Sequence, residues 1–133
     1  MVDLLFEAHR WLGYLVAVVL LVSAMMAFGR AKDAREFTKG PYSGAMVALD
    51  IQVLLGLVLY GVDGHWESDA LIAYIHPVLG LAALAVGHAL VGRAAKHQQV
   101  VDAHRTAGRG LVIALVLVVI GIVVALFGRG TLG

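Results

Sequence analysis

Four long apolar runs dominate the chain, at about Leu4 to Gly29, Tyr42 to Val62, Ala70 to Gly92 and Ala103 to Phe127. Each reaches the roughly 20 residues that a helix needs to cross the hydrocarbon of a bilayer. None alternates between apolar and polar residues as the strands of a membrane barrel do. Between them lie three links, Arg30 to Pro41, Asp63 to Asp69 and Arg93 to Asp102, all too short to be domains. Of the 133 residues, 61% are hydrophobic and 14% charged, against roughly 25% charged in an ordinary soluble domain. A water-soluble fold could not hide that much apolar surface. Short links make sequential helices antiparallel, so the expectation is one all-α domain, a transmembrane up-down-up-down four-helix bundle. The first run has neither a basic stretch before it nor a small-residue cleavage site after it, and reads as a retained span rather than a signal peptide.

Charge orients the bundle. Eight of the ten basic residues fall in or beside the first and third links: Arg30, Lys32, Arg35, Lys39, Arg93, Lys96, Arg105 and Arg109. Arg10 and Arg129 lie on the other side, and the middle link carries Asp63, Glu67 and Asp69 with no Lys or Arg. The positive-inside rule then places the basic links in the cytoplasm and both termini outside it, as expected for a multi-pass protein of the bacterial inner (plasma) membrane. Trp11, Tyr14, Tyr42, Tyr60, Trp66 and Tyr74 lie near run ends, where aromatic residues anchor spans at the interfaces. Gly13, Gly56, Gly80, Gly87 and Gly121 would let helix backbones approach closely. The net charge of +1 gives no reason to expect nucleic acid as a partner. With no cysteine, thiolate metal sites, disulfides, covalent haem attachment and cysteine nucleophiles drop out, and site chemistry falls to His, Asp and Glu.

Ionisable groups inside spans are costly enough to count as functional candidates. Depth along the helices, at about 1.5 Å per residue, sorts them into two sets. The outer set holds Glu7, His9 and Arg10 at the start of the first helix and His76 early in the third. These two helices run parallel and, in a simple bundle, face each other across the diagonal. Imidazole is the commonest metal ligand, and two histidines on different helices of a bundle can hold a haem iron axially. His9 and His76 are therefore the first candidate pair, with Arg10 placed to meet a haem propionate and Pro77 expected to loosen the turn beside His76. The bland reading is that each bonds a neighbouring helix or sits among headgroups.

The inner set holds Asp50 and Gln52 in the second helix, His88 late in the third and His104 opening the fourth, beside Arg105. His88 and His104 form a second candidate haem pair. Asp50 has three open roles: a partner for His88, a proton donor to a quinone together with Gln52, or an interhelical hydrogen bond that fixes packing. His65 and His97 are in links and belong to neither set. Phe37-Thr38-Lys39 reads as the interfacial start of the second helix, with Thr38 or Ser43 as caps. Glu7-Ala8-His9-Arg10 is echoed by Asp102-Ala103-His104-Arg105, at opposite faces of the membrane.

Several of these segments together resemble a family of small four-helix bacterial membrane proteins labelled cytochrome b-like. They are His9-Arg10 with Gly13 three residues on, Phe37-Thr38-Lys39, the run Gln52 to Tyr60, His76-Pro77, His88 and His104-Arg105. The Glu7-Ala8-His9-Arg10 start is also similar to one half of haem A synthase, whose helices enclose a haem. In the family pattern an acidic residue precedes the His-Pro pair, whereas here Ile75 does. The expected function is a b-type haem protein that passes electrons across or within the bilayer, exchanging with quinone. It would carry one haem b on His9 and His76, with His88 and His104 as a second site. Electron transfer is a better match than stand-alone enzyme chemistry, because no nucleophile and base stand in a recognisable motif. Two alternatives stay open: a non-catalytic subunit or assembly factor in a larger membrane complex or homo-oligomer, and a metal or proton carrier using Asp50, His88 and His104.

Overall fold

The computed structural model describes residues 1–128 and contains four α-helices, with no strand among the described residues. They are α1 (Val2–Lys32), α2 (Gly40–Asp63), α3 (His76–Ala94) and α4 (Val100–Gly128). A 3₁₀ turn, His65–Glu67, follows α2, and a π-helical turn, Leu71–Ile75, runs directly into α3. The third span is therefore Leu71–Ala94, and all four spans are long and apolar enough to cross a membrane. Packing runs from α1 to α2, α2 to α3, α3 to α4 and back from α4 to α1. This is the transmembrane up-down-up-down bundle, with α1 and α3 on one diagonal. The start of α1 and the link with Asp63, Glu67 and Asp69 share one end of the bundle, the acidic end. The two basic links share the other. Arg129 lies outside the described residues.

The helices overrun the apolar runs because charged residues at span ends still fit helical geometry. Arg30 and Lys32 occupy the last turn of α1, where cations meet the negative end of the helix dipole. The start of α2 departs from the sequence reading. Phe37 and Thr38 precede the helix, Lys39 is its N-cap without a side-chain bond, and neither Thr38 nor Ser43 caps it. Pro41 in the first turn sets the start instead, since its missing N–H has no helical partner there anyway. At the far end Gly64 closes α2 in the left-handed conformation at φ 65°, which costs glycine little.

Large apolar side chains such as Leu15, Val22, Met25, Leu54, Val78 and Val116 cover the outside of the bundle. The interior is built mostly of small residues, among them Ala24, Ala27, Ala45, Ala83, Ala107 and Ala114. Lipid tails solvate Leu and Val as well as another helix does, so association depends on close packing rather than on hiding apolar surface. The α3–α4 contact is the tightest example. A Cβ on Gly110 would stand 2.7 Å from Leu90 Cβ and 3.6 Å from the Gly87 carbonyl oxygen. Leu90 Cβ is fixed to the backbone, so only helix displacement could make room. Gly110→Val is expected to cost about 1–3 kcal/mol through overpacking. Gly29→Ala, whose Cβ meets nothing within 4 Å, is expected to be neutral or slightly stabilising. Denaturing-detergent titration followed by circular dichroism compares the two.

Candidate functional site

A cleft opens between all four helices at the acidic end. Its cavity volume is about 150 Å³, smaller than the roughly 300–1,000 Å³ of small-molecule and cofactor sites. One glycine from each helix lines it: Gly13, Gly56, Gly80 and Gly121. These glycines, expected to bring helix backbones together, also hollow out the bundle. At Gly56 a Cβ would come within 2.8 Å of His9 Cε1, so the missing side chain is what admits the imidazole. Gly13 does the same for Gln52, whose Nε2 donates to the His9 carbonyl at 2.9 Å. Gln52 thus ties α2 to α1 beneath His9, and its Oε1 is buried without a hydrogen bond.

His9 and His76 meet across the diagonal with ring centres 5.9 Å apart and planes at 85°. His76 Nδ1 lies 2.9 Å from the Gly121 carbonyl oxygen on α4. A carbonyl only accepts, so Nδ1 carries the proton and the lone pair of the neutral ring is on Nε2. Metal-ligating histidines are oriented in this way by a second partner on the other ring nitrogen. With metal–nitrogen bonds of about 2 Å, two axial imidazoles stand with centres roughly 6 Å apart. The centre-to-centre spacing of the pair, in its T-shaped contact, matches that distance.

The π-helical turn helps aim His76. Pro77 has no N–H, so the carbonyl of Ala73, four residues earlier, loses its ordinary α-helical donor. The Tyr60 hydroxyl supplies one, donating to the Ala73 oxygen at 3.1 Å. The chain widens to a π turn over Leu71–Ile75, a form found often at functional sites. Asp69 Oδ1 accepts from the Leu71 amide at 2.9 Å and caps the start. Pro77 was the visible signal for a loosened turn; Tyr60 as its compensation is a finding of the fold. His65, unassigned from sequence, lines the cleft mouth beside Tyr60 with ring centres 6.4 Å apart and lies 3.5 Å from Asp63. Arg10 lines the cleft while paired with Glu7 at 2.7 Å and lying 5.2 Å from the Trp11 ring centre.

The inner set does not assemble. His104 is fully buried, not solvated, and both its nitrogens are engaged. Nε2 donates to the Arg35 carbonyl at 2.9 Å, and Nδ1 is 2.7 Å from the Tyr42 hydroxyl, with Phe37 packed 5.2 Å away centre to centre. The residue staples the first link and the start of α2 to α4. That leaves no nitrogen for iron, so the arrangement does not support the second haem pair of His88 and His104. Arg105, beside it, is exposed. His88 turns away to Asp50, Nε2 to Oδ1 at 2.6 Å, on an exposed face of α2 and α3. Asp50 and Gln52 also separate, Gln52 going to the cleft, so they form no joint site. Among the described residues no three His, Cys, Asp or Glu side chains gather to hold a metal, which removes the cluster of Asp50, His88 and His104.

Replacing His104 by Leu strands the Tyr42 hydroxyl and the Arg35 carbonyl, at about 1–3 kcal/mol for each buried group left unsatisfied. His104→Leu is expected to lower stability by about 2–6 kcal/mol while leaving the diagonal cleft intact, and His97→Ala, at the exposed Thr106 contact, by much less. Thermal melts of the two purified variants read the difference. No family model, no curated protein and no solved structure matches the chain.

Proposed function

We propose that the cleft holds one b-type haem with His9 and His76 as axial ligands, and that the protein is a membrane electron carrier. The carrying observation is the perpendicular imidazole pair at 5.9 Å, reaching from diagonal helices into a glycine-lined cleft. A site with two protein donors suits a metal whose other four positions are filled by a macrocycle, as in cytochromes with two axial side chains. The bound group would supply reversible one-electron chemistry between ferrous and ferric iron.

The chain's own residues account for the rest of the role. The Gly121 carbonyl fixes the tautomer of His76, with the proton on Nδ1 and the lone pair on Nε2. Gly13 and Gly56 give Gln52 and His9 the room they need, and Gln52 holds the backbone beneath the ligand. Leu49, Val53, Leu117, Val118 and Ile122 line much of the cleft and limit water, which tunes the potential. Arg10 lies at the cleft with Glu7 as its present partner, and is the group we assign to a propionate, exchanging one carboxylate for another. The resemblance to cytochrome b-like proteins and to half of haem A synthase points the same way. By the positive-inside rule the site would lie near the non-cytoplasmic surface of the bacterial inner membrane, with both termini on that side.

Protein purified from haem-replete cells is expected to show a b-type reduced-minus-oxidised absorbance difference that His76→Ala abolishes. His88→Ala should retain it, because His88 lies outside the cleft. A colourless wild-type preparation, or an unchanged spectrum in His76→Ala, would overturn the assignment.

A further inference from the structure

The bond between His88 and Asp50 is the strongest polar feature that the diagonal cleft leaves unused. Asp50 stands roughly 15 Å along α2 from Gly40, and His88 roughly 9 Å along α3 before Ala94. Both therefore fall within the span, yet their side chains are 39% and 47% exposed. Ionisable groups in spans ordinarily turn to the bundle interior or a polar cavity because hydrocarbon solvates them poorly. This pair faces outward, beside a second cleft of about 190 Å³ lined by Lys39, Ser43, Met46, His88, Val91 and Gly92. Two stripes build it: Lys39, the N-cap of α2, followed at four-residue steps by Ser43 and Val47 on the helix, and His88, Val91 and Gly92 on α3.

We propose that this cleft binds the headgroup of a membrane-soluble quinone, with His88 as its hydrogen-bonding group and Asp50 as the residue that positions the imidazole. Three observations select that chemistry. The pair opens on the surface that lipid covers, so the ligand reaches it through the bilayer and carries an apolar tail. Its head is small, since the cleft between Met46, Val47 and Val91 holds only about 190 Å³. Its hydrogen bonding is reversible in sense: with Nε2 held by Asp50 Oδ1, Nδ1 of a neutral ring accepts from a quinol hydroxyl, and Nδ1–H of a protonated ring donates to a quinone carbonyl. Ser43 and Lys39, nearer the start of α2, offer donors to the carbonyl on the other side of the ring. Binding of this kind needs no haem, and it deepens the electron-carrier reading by giving a place to the quinone exchange expected of it.

Isothermal titration of the full chain in nanodiscs with decyl-benzoquinone is expected to give saturable binding. His88→Phe keeps a ring of similar shape and should weaken binding about tenfold, the value of one hydrogen bond, with Asp50→Asn weakening it less because the amide oxygen still orients the imidazole. Gly92→Leu provides a second route: a Cβ there meets nothing within 4 Å, so the helix tolerates the side chain, which fills the cleft and should block the quinone. Absence of saturable wild-type binding, equal binding by His88→Phe and Gly92→Leu, or preference for short-chain phosphatidylglycerol in a parallel titration would overturn the proposal. So would a dimer that His88→Phe dissociates while quinone fails to bind, which would make the pair a contact between copies. A colourless protein that binds quinone would remove the haem reading and keep this one; a haem-loaded protein that ignores quinone would do the reverse.

Discussion

Hydrocarbon offers no hydrogen bonds, so every backbone donor and acceptor in the spans must be satisfied within the protein. That constraint produces the four helices, and it also makes each exception informative. Pro77 removes one amide from the ladder, and the freed Ala73 carbonyl is met by the Tyr60 hydroxyl, with the chain widened to a π turn. The exception sits immediately before His76. The same constraint acts on side chains: Gln52 spends its amide on the His9 carbonyl, and His104 spends both nitrogens on the Arg35 and Tyr42 oxygens. Polar residues inside this bundle are joints between helices first, and those with chemistry to spare stand out against that background.

Small residues do two jobs along the bundle. Toward the basic end they close the interior: Gly87 and Gly110 bring α3 and α4 into contact, and Ala83, Ala107 and Ala114 fill the space between. Toward the acidic end Gly13, Gly56, Gly80 and Gly121 keep the interior open, one from each helix. The difference lies in what stands opposite. Gly110 faces the backbone-bound Cβ of Leu90, whereas Gly56 faces the imidazole of His9, so the same residue type yields contact in one layer and a cleft in the other. The distinction from an empty packing defect is that the cleft is lined by side chains held in place from outside it, through Gly121 behind His76 and Gln52 beneath His9.

The spans, their antiparallel order and the meeting of His9 with His76 were legible, because hydropathy and depth along a helix are nearly one-dimensional quantities. Helix ends were less so: the first link contributes no cap, and Pro41 rather than Thr38 or Ser43 sets the start of α2. What depth could not supply was azimuth. His88 and His104 share a level near the basic end, yet one faces outward to Asp50 and the other is sealed against Tyr42. Asp50 and Gln52 are two residues apart in sequence, which on a helix turns them roughly 200° from each other, so one looks to lipid and the other into the cleft. His65 went unassigned because a link residue has no depth to read. Tyr60 could have been found by asking which donor meets the carbonyl that Pro77 leaves over.

If the cleft holds a haem, His9 and His76 would supply its two imidazoles, with their planes crossed at 85°. Electron paramagnetic resonance of the oxidised, purified protein addresses both features at once. Crossed axial imidazoles on low-spin ferric haem give a strongly anisotropic signal with one widely displaced low-field feature, and that is the spectrum the 85° angle between His9 and His76 predicts. A high-spin signal, showing that only one side chain binds the iron, or no haem signal at all, would contradict it.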